Sequence, residues 1–223
     1  NLAYRAALHF LTTQKLNDGV DISIEKRIPV AAGLGGGSSN AAAVFSGLNR
    51  YYGHPFSRDQ LISMGHEIGA DIPFFIFGGP ALAEGVGDIL TECPIRPEVH
   101  YVLVNPGFQV STAWVYQNLV LTSKGDKANL GPSLRTYDDL LCLLYNDLET
   151  VTGGHHPILE NIKRELLGVG ADGVLMSGSG PTVFGVFRSR GAARRAAIEI
   201  AAKTPWQVFQ ARPYQEKVRV CFS

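Results

Sequence analysis

Apolar residues recur at helical spacing in the first segment, Leu2 to Leu16, where Leu2, Ala6, Ala7, Phe10 and Leu11 share one stripe. Past Asn17-Asp18-Gly19 the period changes to two. Val20, Ile22 and Ile24 alternate with Asp21, Ser23 and Glu25, which predicts a half-buried strand. Asn40 to Tyr52 returns to helical spacing through Ala43, Val44, Leu48 and Tyr51, and Gly53 and Pro55 end it. Ser57-Arg58-Asp59-Gln60 reads as a capping box opening a helix to about Ile68. Phe74 to Phe77 and Ala81 to Glu84 read as two short strands joined at Gly78-Gly79-Pro80.

Three breakers, Pro94, Pro97 and Pro106, flank a strand at Tyr101 to Val104, and the pattern predicts a domain boundary there, giving domains 1–95 and 96–223. Helices are predicted at Ser111 to Leu119, at Tyr137 to Leu148, and at Ile158 to Leu167 with Pro157 at its first position. Val174 to Met176 and Val183 to Phe187 read as strands on either side of a second glycine cluster. Ala192 to Ala202 reads as a helix and Gln207 to Ala211 as a closing strand. Lys124 to Arg135 is a polar insert carrying Gly and Pro, expected to be a mobile loop. Strands and helices mixed in this order predict an α+β fold.

Charge narrows the function. Twenty Lys plus Arg balance 20 Asp plus Glu, so the chain lacks the basic excess that phosphate backbones or anionic membranes demand. No apolar run reaches ~18 residues, so no membrane span is expected. Cys93, Cys142 and Cys221 are odd in number and widely spaced, which fits a reducing compartment such as the cytoplasm. His155 and His156 adjoin Gly153, Gly154 and Pro157 and read as an exposed turn. The start, Asn1 to Phe10, has neither an initiator methionine nor a secretion-signal layout, so the chain is expected to begin partway through a natural protein.

Glycine is the compositional outlier: 25 of 223 residues, about 11% against a norm near 7%. The stretch Gly33-Leu34-Gly35-Gly36-Gly37-Ser38-Ser39 lies between a predicted strand and a predicted helix. Glycines let a backbone approach a ligand, and the first N–H groups of a helix converge on an anion. Ser38 and Ser39 add hydroxyls suited to a phosphate or to Mg²⁺. A Walker loop would require a lysine, absent here, and a dinucleotide fingerprint would require glycine where Ser38 stands. A third pattern remains: Pro29-x-x-x-Gly33-Leu34-Gly35-(Gly36-Gly37)-Ser38-Ser39-x-Ala41.

That pattern resembles the ATP loop of the GHMP kinases. The extra glycines and Asn40 narrow the likeness to one branch, and three more stretches agree: Gly69-Ala70-Asp71-Ile72-Pro73-Phe74-Phe75, Ala83 to Leu90, and Met176-Ser177-Gly178-Ser179-Gly180. The resemblance implies a two-lobed fold, an N-terminal lobe like ribosomal protein S5 domain 2 and a C-terminal α/β sandwich. It implies transfer of the ATP γ-phosphoryl to the 2-hydroxyl of a diphosphocytidyl-methylerythritol, a step toward isoprenoid precursors, in the cytoplasm or a plastid stroma. By the same resemblance Lys26, Pro29, Val30, Ala31, Ala32, Gly33, Leu34, Gly35, Gly36, Gly37, Ser38 and Ser39 bind ATP, with Ser39 on the Mg²⁺ side.

Asp71 stands in an otherwise apolar stretch, where a carboxylate needs a hydrogen bond or a partner to keep its charge; the resemblance makes it the catalytic base. Tyr116, Gly178 and Ser179 are implied substrate contacts, while Glu84 and Asp88 read as structural. Family members begin with a lysine-bearing strand and a Tyr-His pair, so about a quarter of a member is expected upstream of Asn1. Two other readings stay open: a homoserine- or mevalonate-type kinase, or a non-catalytic ligand sensor on the same fold.

Overall fold

The computed structural model describes residues 1–85, 87, 89–94, 97–120 and 135–213. Val86 and Asp88 of the Ala83 to Leu90 stretch lie outside the described residues, as does all of the predicted mobile insert except Arg135. The chain forms two compact units: residues 1–27 and 35–94 make one, 28–34 and 95–213 the other.

In the first unit, α1 (Leu2–Thr13) packs on α2 (Gly36–Tyr51). Ala6, Ala7 and Phe10 of α1 meet Ala41, Ala42 and Phe45 of α2 in one core with Leu61, Met64 and Ile72. Alanines at the contact let the two backbones approach, and Phe10 fills the remaining volume, stacked on Tyr52 and edge-on to Phe56. Asn49, buried, brackets Phe56 through both its N–H and its carbonyl at 3.0 Å, fixing the turn into α3 (Arg58–His66). The predicted capping box is present, with Ser57 Oγ accepting from the Gln60 amide and Gln60 returning the bond.

Two sequence expectations fail in this unit. Phe74 to Phe77 belongs to a helix, α4 (Ile72–Phe77), and not to a strand. Four apolar residues in a row carry no period, and the decisive signals flank them: Pro73 presets helical φ in the first turn, and Gly78 ends the helix at φ +76°. Val20 to Glu25 forms no strand either, and Val20 and Ile22 are exposed. Alternation alone does not make a strand; a ladder partner is required, and none is found among the described residues. β1 (Ala81–Glu84) does form, paired antiparallel with β2 (Ile89–Glu92).

The second unit is a four-stranded antiparallel sheet in the order β4-β5-β3-β6, from β3 (His100–Asn105), β4 (Gly173–Met176), β5 (Val183–Phe187) and β6 (Gln207–Ala211). Two long helices, α8 (Ile158–Gly168) and α9 (Arg190–Lys203), join them in β-α-β-β-α-β order, the split β-α-β arrangement. The strand period of two sorts the core. Val102, Val104, Val183 and Phe187 face Leu159, Ile162, Leu166, Ala196 and Ile200 of the helices, while Tyr101, Phe184 and Val186 turn to the opposite face with Tyr137 and Leu140. Fully buried residues such as Ile162 and Leu166 are each worth about 1.5–3 kcal/mol.

The predicted helix from Tyr137 to Leu148 stops early: α6 (Tyr137–Cys142) covers this second face, and a separate helix, α7 (Leu148–His155), starts where the predicted one ends; α5 (Thr112–Asn118) precedes both. Asn146 Oδ1 accepts from the Leu148 amide and restarts the helix, a local bond that leaves no trace in apolar spacing. α7 then runs through Gly153 and Gly154, so His155 closes a helix instead of forming a turn, with its ring edge-on to Trp114. His156, only half-buried, tilts against Phe108.

Candidate active site

The predicted nucleotide loop divides between the two units. Its first part, residues 28–34, packs on the second. Ala32 is buried and its carbonyl accepts from the Thr182 amide at 3.4 Å, while the Ala31 carbonyl accepts from the Val110 amide at 3.5 Å. Gly33 lies against the second glycine cluster, where Ser177 Oγ donates to its carbonyl at 2.8 Å. With φ at +72° and Ser177 O 2.1 Å from where a Cβ would sit, only glycine fits at 33.

That second cluster, Ser177 to Thr182, is the loop joining β4 to β5. The Ser177 amide donates to Thr182 O and the Gly180 amide to Ser177 O, and Gly178 and Gly180 take φ +54° and +80°. Ser179 is buried and its hydroxyl lies 2.8 Å from Thr112 Oγ1. Beneath the loop, buried Asn105 donates to Thr182 Oγ1 at 2.9 Å. Within this unit, then, predicted Pro29 to Leu34, Gly178 and Ser179 come together. Tyr116 stands on α5 with 60% of its surface exposed, presenting an open ring and taking no part in the core.

The loop's second part opens α2 in the first unit. Gly35 is its N-cap in the left-handed region, φ +63°, and no side chain caps the helix. The Ser39 amide already donates to Gly35 O at 2.9 Å. The amides of Gly36, Gly37 and Ser38 form the first turn and have no acceptor among the described residues. α2 thus begins four residues before its apolar pattern does, because glycine and serine contribute nothing to that pattern. Lys26 Nζ and Ser39 Oγ both donate to Gly36 O, at 3.1 and 3.2 Å, which places a cation beside the open turn. Phe75 of α4 sits where a Cβ on Gly35 would be, 2.5 Å away, locking α4 against this turn.

Asp71 caps the other end of that contact as the N-cap residue of α4. It is exposed and makes no side-chain hydrogen bond to its own helix. The expectation that a carboxylate in this apolar stretch must be hydrogen-bonded or paired is corrected: the side chain lies at the surface, and the neighbouring Ile72 and Pro73 take the buried positions. Sequence reasoning missed Ser177, Asn146, Glu149 and Thr152 as residues shaping the site. Ser177 lay inside a quoted motif; the other three act on backbone atoms and follow no apolar period.

A glycine turn that opens a helix with amides lacking acceptors among the described residues is suited to phosphate, and the chain belongs to the GHMP kinases. The family model described as GHMP kinases N terminal domain matches residues 1–79, and that described as GHMP kinases C terminal matches residues 120–204. A relative from Syntrophotalea carbinolica named 4-diphosphocytidyl-2-C-methyl-D-erythritol kinase is 51% identical over 216 residues, 97% of this chain and 77% of that one. A protein of the same name from Geobacter sp. strain M21 is 51% identical over 206 residues, 92% of this chain and 74% of that one. Among solved structures, 4-(cytidine 5'-diphospho)-2C-methyl-D-erythritol kinase superposes with a TM-score of 0.76 at 34% identity, covering 96% of this chain and 79% of that one. Homoserine kinase from Cytophaga hutchinsonii gives 0.78 at 19% identity, covering 96% and 76%, a likeness of fold alone. The expected α+β fold of the family is thereby borne out.

Proposed function

We propose that this kinase transfers the γ-phosphoryl group of ATP to the 2-hydroxyl of 4-diphosphocytidyl-2-C-methyl-D-erythritol. The observation that carries the reading is the open first turn of α2, three unpartnered amides beside Lys26, in a chain half identical to kinases of that name. Phosphoryl transfer asks chiefly for alignment and for stabilisation of charge on the transferred group. The amides of Gly36, Gly37 and Ser38, at the positive end of a 16-residue helix, supply the second directly. Pro29 to Leu34, the first part of the same sequence motif, are proposed to bind the nucleotide as well.

Asp71 is the proposed base. Its exposed side chain at the N-cap of α4 makes no bond to its own helix and is free to accept the proton of the attacking hydroxyl. Gly178, Ser179 and Tyr116 are proposed to contact substrate, Tyr116 through its exposed ring. Mg²⁺ bound to a nucleotide takes most of its ligands from phosphate and water, so one hydroxyl from the protein fits its needs, and Ser39 would provide it; the ion would neutralise phosphate charge. The proposed domain limits are 1–95 and 96–223. No helix among the described residues is long and apolar enough to cross a membrane.

The test is a phosphorylation assay on the full-length protein with diphosphocytidyl-methylerythritol, homoserine and mevalonate as alternative acceptors. Turnover of the first alone is the expected result. Preference for either of the others overturns the reading, and tight ATP binding with no turnover of any would favour a sensor.

A further inference from the structure

Three residues in and just before α7 make four hydrogen bonds to the backbone of Met176, at the end of β4, and of Gly178 and Ser179 in the second glycine cluster. Asn146, immediately before α7, donates its side-chain N–H groups to two carbonyls, Met176 O at 2.9 Å and Gly178 O at 2.8 Å. Glu149 Oε2 accepts from the Met176 amide at 3.1 Å, while its other oxygen pairs with Lys163 of α8. Thr152, wholly buried, donates its hydroxyl to Ser179 O at 3.1 Å. Glu149 and Thr152, three apart, lie on one face of α7, and Asn146 stands two residues before it; together they meet backbone groups of Met176, Gly178 and Ser179.

The effect is to orient peptides. Gly178 O is drawn toward Asn146, which turns the Ser179 amide of the same peptide the other way, and the amides of Gly178 and Ser179 have no acceptor among the described residues. The same loop carries Ser177, whose hydroxyl holds Gly33 of the nucleotide loop. A chain of contacts therefore runs from α7 through residues 176–179 to Gly33, all inside the second unit.

We infer that Asn146, Glu149 and Thr152 are positioning residues for nucleotide binding, presetting the first part of the nucleotide loop through the Met176–Ser179 backbone. The inference rests on the reading of Pro29 to Leu34 as nucleotide-binding. Without the clamp the glycines at 178 and 180 are free to take many conformations, and affinity falls by the fraction of molecules that keep the competent one.

The experiment is titration of the full-length protein with a fluorescent ATP analogue, for the parent and for Thr152→Val, Asn146→Asp and Thr152→Ser. Valine matches threonine in volume but cannot donate, and aspartate matches asparagine in shape but turns a carboxylate toward two carbonyl oxygens. Thr152→Val and Asn146→Asp are expected to weaken nucleotide binding about 5- to 100-fold, the equivalent of one buried hydrogen bond lost. Thr152→Ser, which restores the donor, is expected to bind within about threefold of the parent, since it removes one methyl and no hydrogen bond. KM for ATP should rise more than kcat falls. If Thr152→Val melts lower yet binds nucleotide like the parent, α7 is a structural support only and the inference is overturned. Should Asn146→Asp fail to fold, the threonine pair decides alone. A parent that binds ATP but phosphorylates no acceptor defeats the proposed reaction and leaves the titration to judge the clamp; a parent that binds no ATP defeats both.

Discussion

The hydroxyl of Ser177 donates to the carbonyl of Gly33 across 144 residues of sequence, at 2.8 Å. This bond ties the two glycine-rich stretches together within one unit and makes the fit at Gly33 very tight. A methyl group there would lie 2.1 Å from Ser177 O and 3.0 Å from the Gly180 amide nitrogen. Both are backbone atoms and cannot step aside cheaply.

Gly33→Ala is therefore expected to lose about 2–4 kcal/mol of stability, combining left-handed strain with overpacking. Gly37→Ala is the contrasting case. Its Cβ would meet only Leu2 Cδ1, at an ordinary 3.4 Å, and the position is helical. Denaturant unfolding should find Gly37→Ala within about 0.5 kcal/mol of the parent or slightly more stable, while nucleotide affinity is expected to drop because the added methyl lies on the turn proposed to face phosphate. Equal ATP affinity in Gly37→Ala and parent would remove that turn from the binding site.

Asp71→Asn separates chemistry from folding. The side chain is exposed and bonds nothing in its helix, so the melting temperature should stay nearly unchanged. Turnover should fall ~10²–10⁴-fold with KM for ATP near normal, the usual loss when a positioned base is removed. Full activity in this variant rules Asp71 out as the base.

Tyr52 offers a pH signature. Its hydroxyl donates to Asp18 at 2.6 Å, and that bond, with burial and the carboxylate charge behind it, pushes its pKa up to about 12 from 10.0. A raised folded pKa means the native state holds a proton that the unfolded chain has released. The contribution is complete below pH 10 and disappears as pH climbs to about 12. Alkaline unfolding curves of Tyr52→Phe should fall less steeply across that window than those of the parent. Identical slopes would show that the pair does not couple to folding.

Thr182→Val tests the support under the second glycine loop. Thr182 is fully buried and Asn105 nearly so, at 0% and 2% exposure, and the change strands an amide that now donates to Thr182 Oγ1. The cost of such an orphan is ~1–3 kcal/mol, readable by denaturant melts. Asn105→Ala/Thr182→Val should cost less than the two single changes summed, because each strands the other's partner.

What could be read in advance follows from which forces leave a mark in the chain. Strands β5 and β6, helix α8 and the capping box at Ser57 were legible, since each couples residue type to a fixed spacing. The close backbone approach at Gly33 was legible through its glycine, which is required where backbones touch. Helix α4 was not, because Phe74 to Phe77 is apolar throughout and the cues, Pro73 and Gly78, act from its ends. Val20 to Glu25 shows the converse: a faultless alternation with no neighbouring strand among the described residues to exploit it. The α7 clamp was invisible for a third reason. Asn146, Glu149 and Thr152 serve carbonyls and amides some thirty residues away, and peptide groups look alike in every sequence.

Residues 28–34 are held by groups from Val110, Ser177 and Thr182, all translated much later. At ~5–20 residues per second, Ser177 leaves the ribosome roughly 7–30 s after Gly33. For that interval the nascent chain carries residues 28–34 without the surface that holds them. The first unit can collapse around Phe10 and Phe45 while residues 28–34 wait, so, on the proposed reading of that loop, the ability to grip ATP arrives late in the protein's birth, with the β4–β5 turn. Ribosome-stalled chains ending before Ser177 should accordingly be blind to nucleotide, however well their first helices are packed.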